Sequence, residues 1–174
     1  MKIGVISDTH SKISLAKDAL SHLKSFGVEY IFHAGDFGSK EIPKLLEDEE
    51  LKCFGVFGNN DFHLQSLQSE YNIKKEPYYF EIEGVSFKLM HLPFFMTPDT
   101  EVVIYGHTHE FKSECINGTL FLNPGECCAR NKPFSEYAFL EITKESFKVI
   151  YLKKDIRDSS LEEKFFEYPR SAYE

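Results

Sequence analysis

The stretch VIYGHTHEF, residues 103–111, ends an apolar run in glycine and then sets two imidazoles one residue apart, His107 and His109. Side chains at i and i+2 of an extended segment share a face, so both rings can reach one point. Imidazole is the commonest metal ligand among side chains, yet ordinary surface strands also carry such pairs. Repetition along the chain weighs against coincidence. Asp8 and His10 stand in SDTH, Asp36 in HAGD, Asn59 to Asp61 in GNND, and His91 closes FKLMH. Singly, each has a structural reading: Asp8 as a helix cap, GNND as a turn, His91 as a satisfied core histidine. Jointly, they end successive apolar runs. The donors are nitrogen and oxygen, which suits Mn, Fe, Co, Ni or Zn better than a thiolate-bound metal. Two carboxylates, one amide and four imidazoles are too many for one tetrahedral ion. They suffice for two five- or six-coordinate ions sharing a carboxylate.

The elements that position these groups are legible from periodicity. KIGVIS (2–7), VEYIFHAGD (28–36) and LKCFGVFGNND (51–61) read as buried strands running into polar loops. Between them, residues 14–26 place Leu15, Ala19, Leu20, Leu23 and Phe26 at helical spacing, with Ser14 as N-cap and Gly27 as stop. Residues 39–50 read as a second helix with Pro43 near its first turn. Strand–helix alternation implies a parallel sheet, and ligands collect beyond the carboxyl ends of such strands. After residue 76 the pattern becomes short strands, with turns at Glu83–Gly84 and Asn117–Gly118. The natural packing is a two-sheet sandwich with helices outside. Residues 156–174 form a charged tail containing SSLEEKFFEY, read as one short helix before Pro169.

Bulk properties bound the function. A chain of 174 residues suits one domain. The net charge of −8 disfavours a protein whose main business is gripping nucleic acid, although bound metals would not enter that sum. No stretch reaches the roughly 20 apolar residues of a membrane helix. Cys53, Cys115, Cys127 and Cys128 form no C-x-x-C pair, which points to a reduced, cytoplasmic protein.

In this order, D-x-H, G-D, G-N-x-D, H and G-H-T-H resemble the calcineurin-like metallophosphoesterase superfamily. ISDTH, HAGD, GNND, GHTH and NPGE look most like its small YfcE-like phosphodiesterase branch. The resemblance implies a four-layer αββα sandwich, two mixed β-sheets flanked by helices, within a single domain spanning residues 1–155. It makes Asp8, His10 and His109 ligands of one metal, Asp36 the bridge, and Asn59, His91 and His107 ligands of the second. The implied cofactors are two divalent ions, Mn²⁺ first, with Zn²⁺, Ni²⁺, Fe²⁺ or Co²⁺ as alternatives. The implied reaction is hydrolysis of a small phosphodiester by in-line attack of a metal-bridging hydroxide. Homo-oligomerisation is compatible with the sequence.

Three departures qualify the match. Many relatives carry a histidine where this chain has Asn60, and an amide cannot act as a general acid. We therefore assign Asn60 and Asp61 to the catalytic neighbourhood, Asp61 as an orienting or loop-capping group, with His63 as the candidate acid. His33 is either a supporting group or a buried structural one. Glu126 stands where relatives have a small residue, and the expectation is an exposed side chain. Phe94 and Phe95 in LPFFMTPDT are expected to pack. Two rival readings are a metal-binding scaffold for protein recruitment, as in the retromer subunit of this fold, and a nuclease or nucleotide phosphatase of the superfamily. The complete ligand set disfavours the first and the acidic balance the second.

Overall fold

The structure is a computed structural model describing residues 1–170. Four strands, β1 (Lys2–Ile6), β2 (Tyr30–His33), β3 (Lys52–Val56) and the short β4 (Ile73–Lys74), pair in parallel. Their crossovers carry α1 (Ile13–Ser25), α2 (Glu41–Asp48) and a 3₁₀ helix over Phe62–Ser69. α1 buries Ala16, Ala19, Leu20 and Leu23, one stripe at helical spacing. Gly27, at φ 74°, ends it in the left-handed region that glycine adopts without a Cβ penalty. The helix starts at Ile13, so Ser14 lies inside its first turn rather than capping it. A turn closed by Lys12 N–H donating to the Thr9 carbonyl at 2.8 Å initiates the helix instead.

The second half builds β5 (Tyr78–Ile82), β6 (Val85–Leu89), β7 (Val102–Ile104), β8 (Phe111–Ile116) and β9 (Thr119–Pro124) into a five-stranded sheet ordered β5-β6-β7-β9-β8. Its two hairpins pair antiparallel, while β6–β7 and β7–β9 pair in parallel. The expected tight turns are there: Glu83–Gly84 and Asn117–Gly118 all take positive φ. The chain then returns to the first sheet as β10 (Phe134–Ile142), β11 (Ser146–Asp155) and β12 (Leu161–Pro169), giving the order β12-β11-β10-β1-β2-β3-β4. Ile3, Val5 and Phe32 of one sheet face Phe87, Leu89, Ile104 and Leu122 of the other in a buried core. Both helices pack on the outer face of the larger sheet, against Ile6, Ile31 and Phe139.

The outer face of the smaller sheet carries no α-helix among the described residues. Met96 packs there on Met90, Val103, Tyr105 and Phe121. The buried Lys88 donates to the Phe95 and Thr97 carbonyls at 2.7 and 2.9 Å, tying that loop down. The fourth layer is thus a loop stapled by one ammonium. Phe94 and Phe95 are 73% and 49% exposed, so the expected packing does not occur. Lys88 and Met96 hold the loop, and these two rings stay outside.

The expected helix in SSLEEKFFEY is also not there. Residues 161–169 are a strand paired along β11 from Lys154↔Leu161 to Ser146↔Pro169. Leu-Glu-Glu-Lys favours a helix locally, but Phe166 and Tyr168 alternate toward the inter-sheet core, and β11 offers a free edge. Glu162 and Lys164 leave this edge strand charged, which discourages further pairing.

Candidate metal centre

The polar groups converge where β1, β2, β3, β6 and β7 end. Asp8 N–H donates to the Gly35 carbonyl at 2.9 Å and His10 N–H to the Asp36 carbonyl at 3.0 Å, stitching the loops after β1 and β2 together. Asp8, His10, Asp36, His107 and His109 all have positive φ, between 41° and 67°. Left-handed backbone is uncommon for residues other than glycine and collects at functional sites. Turning the chain sharply there aims side chains from separate loops at one place.

Gly58 and Gly106 serve proximity rather than bending, since neither has positive φ. A Cβ on Gly58 would come within 2.1 Å of Asp36 Oδ1, and one on Gly106 within 2.1 Å of Ser7 Oγ. Real Cβ contacts are never that short, so both positions require the bare backbone.

Two overlapping groups of donors result. In one, Asp8 Oδ1 lies 3.2 Å from His109 Nε2 and 3.9 Å from His10 Nε2, which is 3.5 Å from Asp36 Oδ2. In the other, Asn59 Oδ1 lies 2.9 Å from His91 Nε2 and 3.2 Å from His107 Nδ1, with Asp36 Oδ2 3.4 Å from His91 Nε2. Ligand atoms about 2.1 Å from a shared ion stand about 3 Å apart, so these separations fit coordination. Asp36 is the carboxylate common to both groups.

Tautomers sharpen the point. His91 donates its Nδ1–H to the Ala34 carbonyl at 2.8 Å, which turns the Nε2 lone pair toward the Asn59 and Asp36 oxygens. Three lone-pair atoms facing one another need a cation between them, either a proton on the ring or a metal ion. Asp8 uses Oδ2 to accept from Ser7 Oγ–H at 2.6 Å and from His107 N–H at 3.2 Å. Its buried Oδ1, like the buried His10 Nε2, has no hydrogen-bond partner. Buried polar atoms left unpaired are costly, and here both point into the first donor group. The residues therefore fit a pair of divalent cations. Cys128, also buried, brings its sulfur within 4.8 Å of the His10 and His109 nitrogens.

Charge follows this geometry. Burial alone would raise Asp8 and Asp36, but His109 and His91 hold Asp8, and His91 and Asn60 hold Asp36, below the usual carboxylate range. His109 is pushed up to about 11, chiefly by the Asp8 carboxylate beside its Nε2, then by Cys128 and, against burial, by Glu126. Burial depresses His91, but Asp36 overcomes it and the net shift is upward.

The other candidates separate. Asn60 donates its backbone N–H to Asp36 Oδ1 at 2.9 Å and its amide to Asp36 Oδ2 at 2.7 Å. Its amide is thus engaged by the Asp36 carboxylate rather than pointing free. The buried Asp61 accepts backbone N–H groups of Phe37, Gly38 and Gly58 at 3.1, 3.0 and 2.9 Å. That is the geometry of a loop cap. His63 is exposed, and its Nε2 donates to the Gly38 carbonyl at 3.2 Å. His33 is structural: it stacks on Phe37 at 3.8 Å, bonds Thr9 Oγ1 at 3.0 Å, and burial pushes it down to about 3.

Glu126 overturns its expectation. It is fully buried, and Oε2 accepts from His109 Nδ1–H at 2.5 Å. A carboxylate that follows NPG reads as exposed when only its neighbours in sequence are known. Its partner lies on a different strand connection.

Resemblance to known proteins agrees with this arrangement. Residues 1–145 match the calcineurin-like phosphoesterase superfamily domain. The chain belongs to that superfamily. Phosphodiesterase MJ0936 of Methanocaldococcus jannaschii is 31% identical over 166 residues, covering 88% of this chain and 100% of that protein. The structure of an archaeal phosphodiesterase superposes with TM-score 0.72 at 27% identity, over 95% of this chain and 100% of the other. Vps29 of Chaetomium thermophilum superposes with TM-score 0.79 at 12% identity over 98% of each chain, a likeness of fold alone. Within the calcineurin-like superfamily, the chain therefore combines the expected two-sheet frame with a carboxylate, Glu126, behind one of its histidines.

Proposed function

We propose that this protein is a phosphodiesterase that works with two divalent metal ions, Mn²⁺ before Zn²⁺, Ni²⁺, Fe²⁺ or Co²⁺, in the cytoplasm. The carrying observation is the pair of donor groups that meet at Asp36, with Asp8 Oδ1 and His10 Nε2 buried and unpaired. Asp8, His10 and His109 would hold one ion, Asn59, His91 and His107 the other, and Asp36 both. Bound there, the ions would supply Lewis acidity toward phosphoryl oxygens and a water acidic enough to be nucleophilic near neutral pH. The four free cysteines, two of them buried, support a reducing compartment. Kinship with a protein named phosphodiesterase supports the substrate class.

The chain's own residues set access and proton traffic. Asn59 and His107 are exposed while Asp8, His91 and His109 are buried, so a small phosphoester would approach over the Asn59–His107 side. Asn60 steadies Asp36 and has no proton to give a leaving group. A positioned general acid is worth about 10²–10⁴ in rate, and its lack falls hardest on esters with poor leaving groups. With Mn²⁺, an activated aryl diester is expected to turn over about a hundredfold faster than an alkyl monoester. A side-by-side assay that adds cyclic nucleotides checks this; equal rates would refute the diester assignment.

Metal uptake should release protons. A histidine held near 11 in the fold, against about 6.5 unfolded, is cationic at neutral pH, and a metal ligand must be neutral. The charged His109 therefore stabilises the metal-free fold fully below about pH 6.5, and that contribution fades as pH rises toward about 11. Metal affinity runs the other way and should climb with pH across the neutral range, with about one proton released at the Asp8–His10–His109 group. Calorimetric titration in buffers of different ionisation enthalpy measures the count. A pH-independent affinity would contradict it.

A further inference from the structure

The two donor groups are not supported alike. Behind His91, Nδ1–H meets a neutral carbonyl, that of Ala34, at 2.8 Å. Behind His109, Nδ1–H meets the Glu126 carboxylate at 2.5 Å. That carboxylate is anchored: Oε1 accepts the backbone N–H groups of Asn131 and Lys132, each at 2.8 Å. Lys132 in turn donates from Nζ to the His109 carbonyl at 2.6 Å and pairs with the buried Glu136 at 2.6 Å. Tyr151 O–H donates to the other oxygen of Glu136. The histidine on the loop between β7 and β8 is thereby fastened, front and back, to the β9–β10 connection and the larger sheet.

We propose that Glu126 is a positioning residue for the metal held by Asp8, His10 and His109. In the neutral ring that a metal ion requires, it locks His109 in the tautomer whose Nε2 lone pair faces Asp8 Oδ1, and it makes this half of the centre the tighter-binding one. A carboxylate behind a ligating imidazole fixes the ring and strengthens it as a donor, and its loss commonly costs 10–100-fold in metal affinity. The second half has no such anion and takes an amide, Asn59, among its donors. The proposal rests on the two-metal reading above.

Glu126→Gln tests it with little change of shape. The single amide oxygen would stay with the Asn131 and Lys132 N–H groups, and the NH₂ would face His109 Nδ1. That pairing favours the opposite tautomer, with the Nε2 position protonated and turned toward Asp8. Titrating the metal-free full chain with Mn²⁺ is expected to show two ions for the wild type. In Glu126→Gln one of these should weaken about 10–100-fold and the other should be unchanged. Long-range ¹H–¹⁵N spectra of the Zn²⁺-loaded proteins should show His109 as the Nδ1–H tautomer in wild type only. The unchanged second ion reports that the variant is folded. Two ions lost equally, or two retained with wild-type affinity, would overturn the role of Glu126 while leaving the metal centre standing. A wild type that takes up no ion would overturn the two-metal reading and this proposal together.

Discussion

Asp36→Ala is expected to lower metal-dependent hydrolysis of an aryl phosphodiester by about a thousandfold or more and to weaken metal uptake at both halves of the centre. Asp36 Oδ2 lies within 3.5 Å of histidines from each group, His10 on one side and His91 on the other. Any other single ligand would disturb one half first. Removing Asp36 would also leave His91 Nε2 buried opposite Asn59 Oδ1 with no anion to balance a shared cation. The variant frees the N–H and amide of Asn60, both at an exposed position, so their rehydration is easy and the fold should survive. Circular dichroism of the metal-free variant checks the fold. Metal content measured beside activity separates the readings. A wild type that holds two ions yet hydrolyses no more diester than Asp36→Ala would favour the scaffold over the enzyme. Activity retained within tenfold in the variant would remove Asp36 as the shared ligand.

Asp61→Ala should be the most damaging change to the fold around the site, at about 3–5 kcal/mol. Its carboxylate gathers three backbone N–H groups from two loops, those of Phe37, Gly38 and Gly58. Each buried donor left without a partner costs about 1–3 kcal/mol, and charge-assisted bonds lie toward the upper end. Phe37 and Gly58 directly follow and precede the proposed ligands Asp36 and Asn59, so the same loss lets those two side chains drift apart. Asp61→Asn keeps one accepting oxygen and should fall between wild type and alanine. Urea unfolding of the metal-free chains measures the stability change. A loss under about 1 kcal/mol would mean the loops hold one another without this carboxylate. Activity should fall with metal affinity rather than through proton transfer, so the pH profile of the residual activity should keep its wild-type shape.

Both expectations concern residues visible in the sequence, yet they were legible to different degrees. Asp36 stood out because its whole argument is local: an apolar strand, a glycine, then a carboxylate, repeated with other donors at other strand ends. Asp61 could be placed beside the site, but two of its three partners are backbone amides 23 and 24 residues earlier, which no side-chain pattern records. The sequence places Asn60 in the catalytic neighbourhood without showing its partner, and its amide is bound to Asp36. Exposure of a short polar side chain depends on what folds against it.

By itself the sequence determined the inventory and the order: parallel strands joined by helices, two hairpins, and nitrogen and oxygen donors where those strands run out. These follow from periodicity and from glycine placement, which act over a few residues. Only the tertiary structure decided which atoms meet. It made SSLEEKFFEYP an edge strand because β11 had backbone groups to pair and the inter-sheet core had room for Phe166 and Tyr168. It turned Glu126 inward onto His109, across a separation of 17 residues, and gave that carboxylate two amides and an imidazole to hold. Local propensity is a matter of tenths of a kilocalorie per residue, whereas a strand edge or a buried charge commits several kcal/mol to finding a partner. Where the two disagreed, the partner settled the outcome.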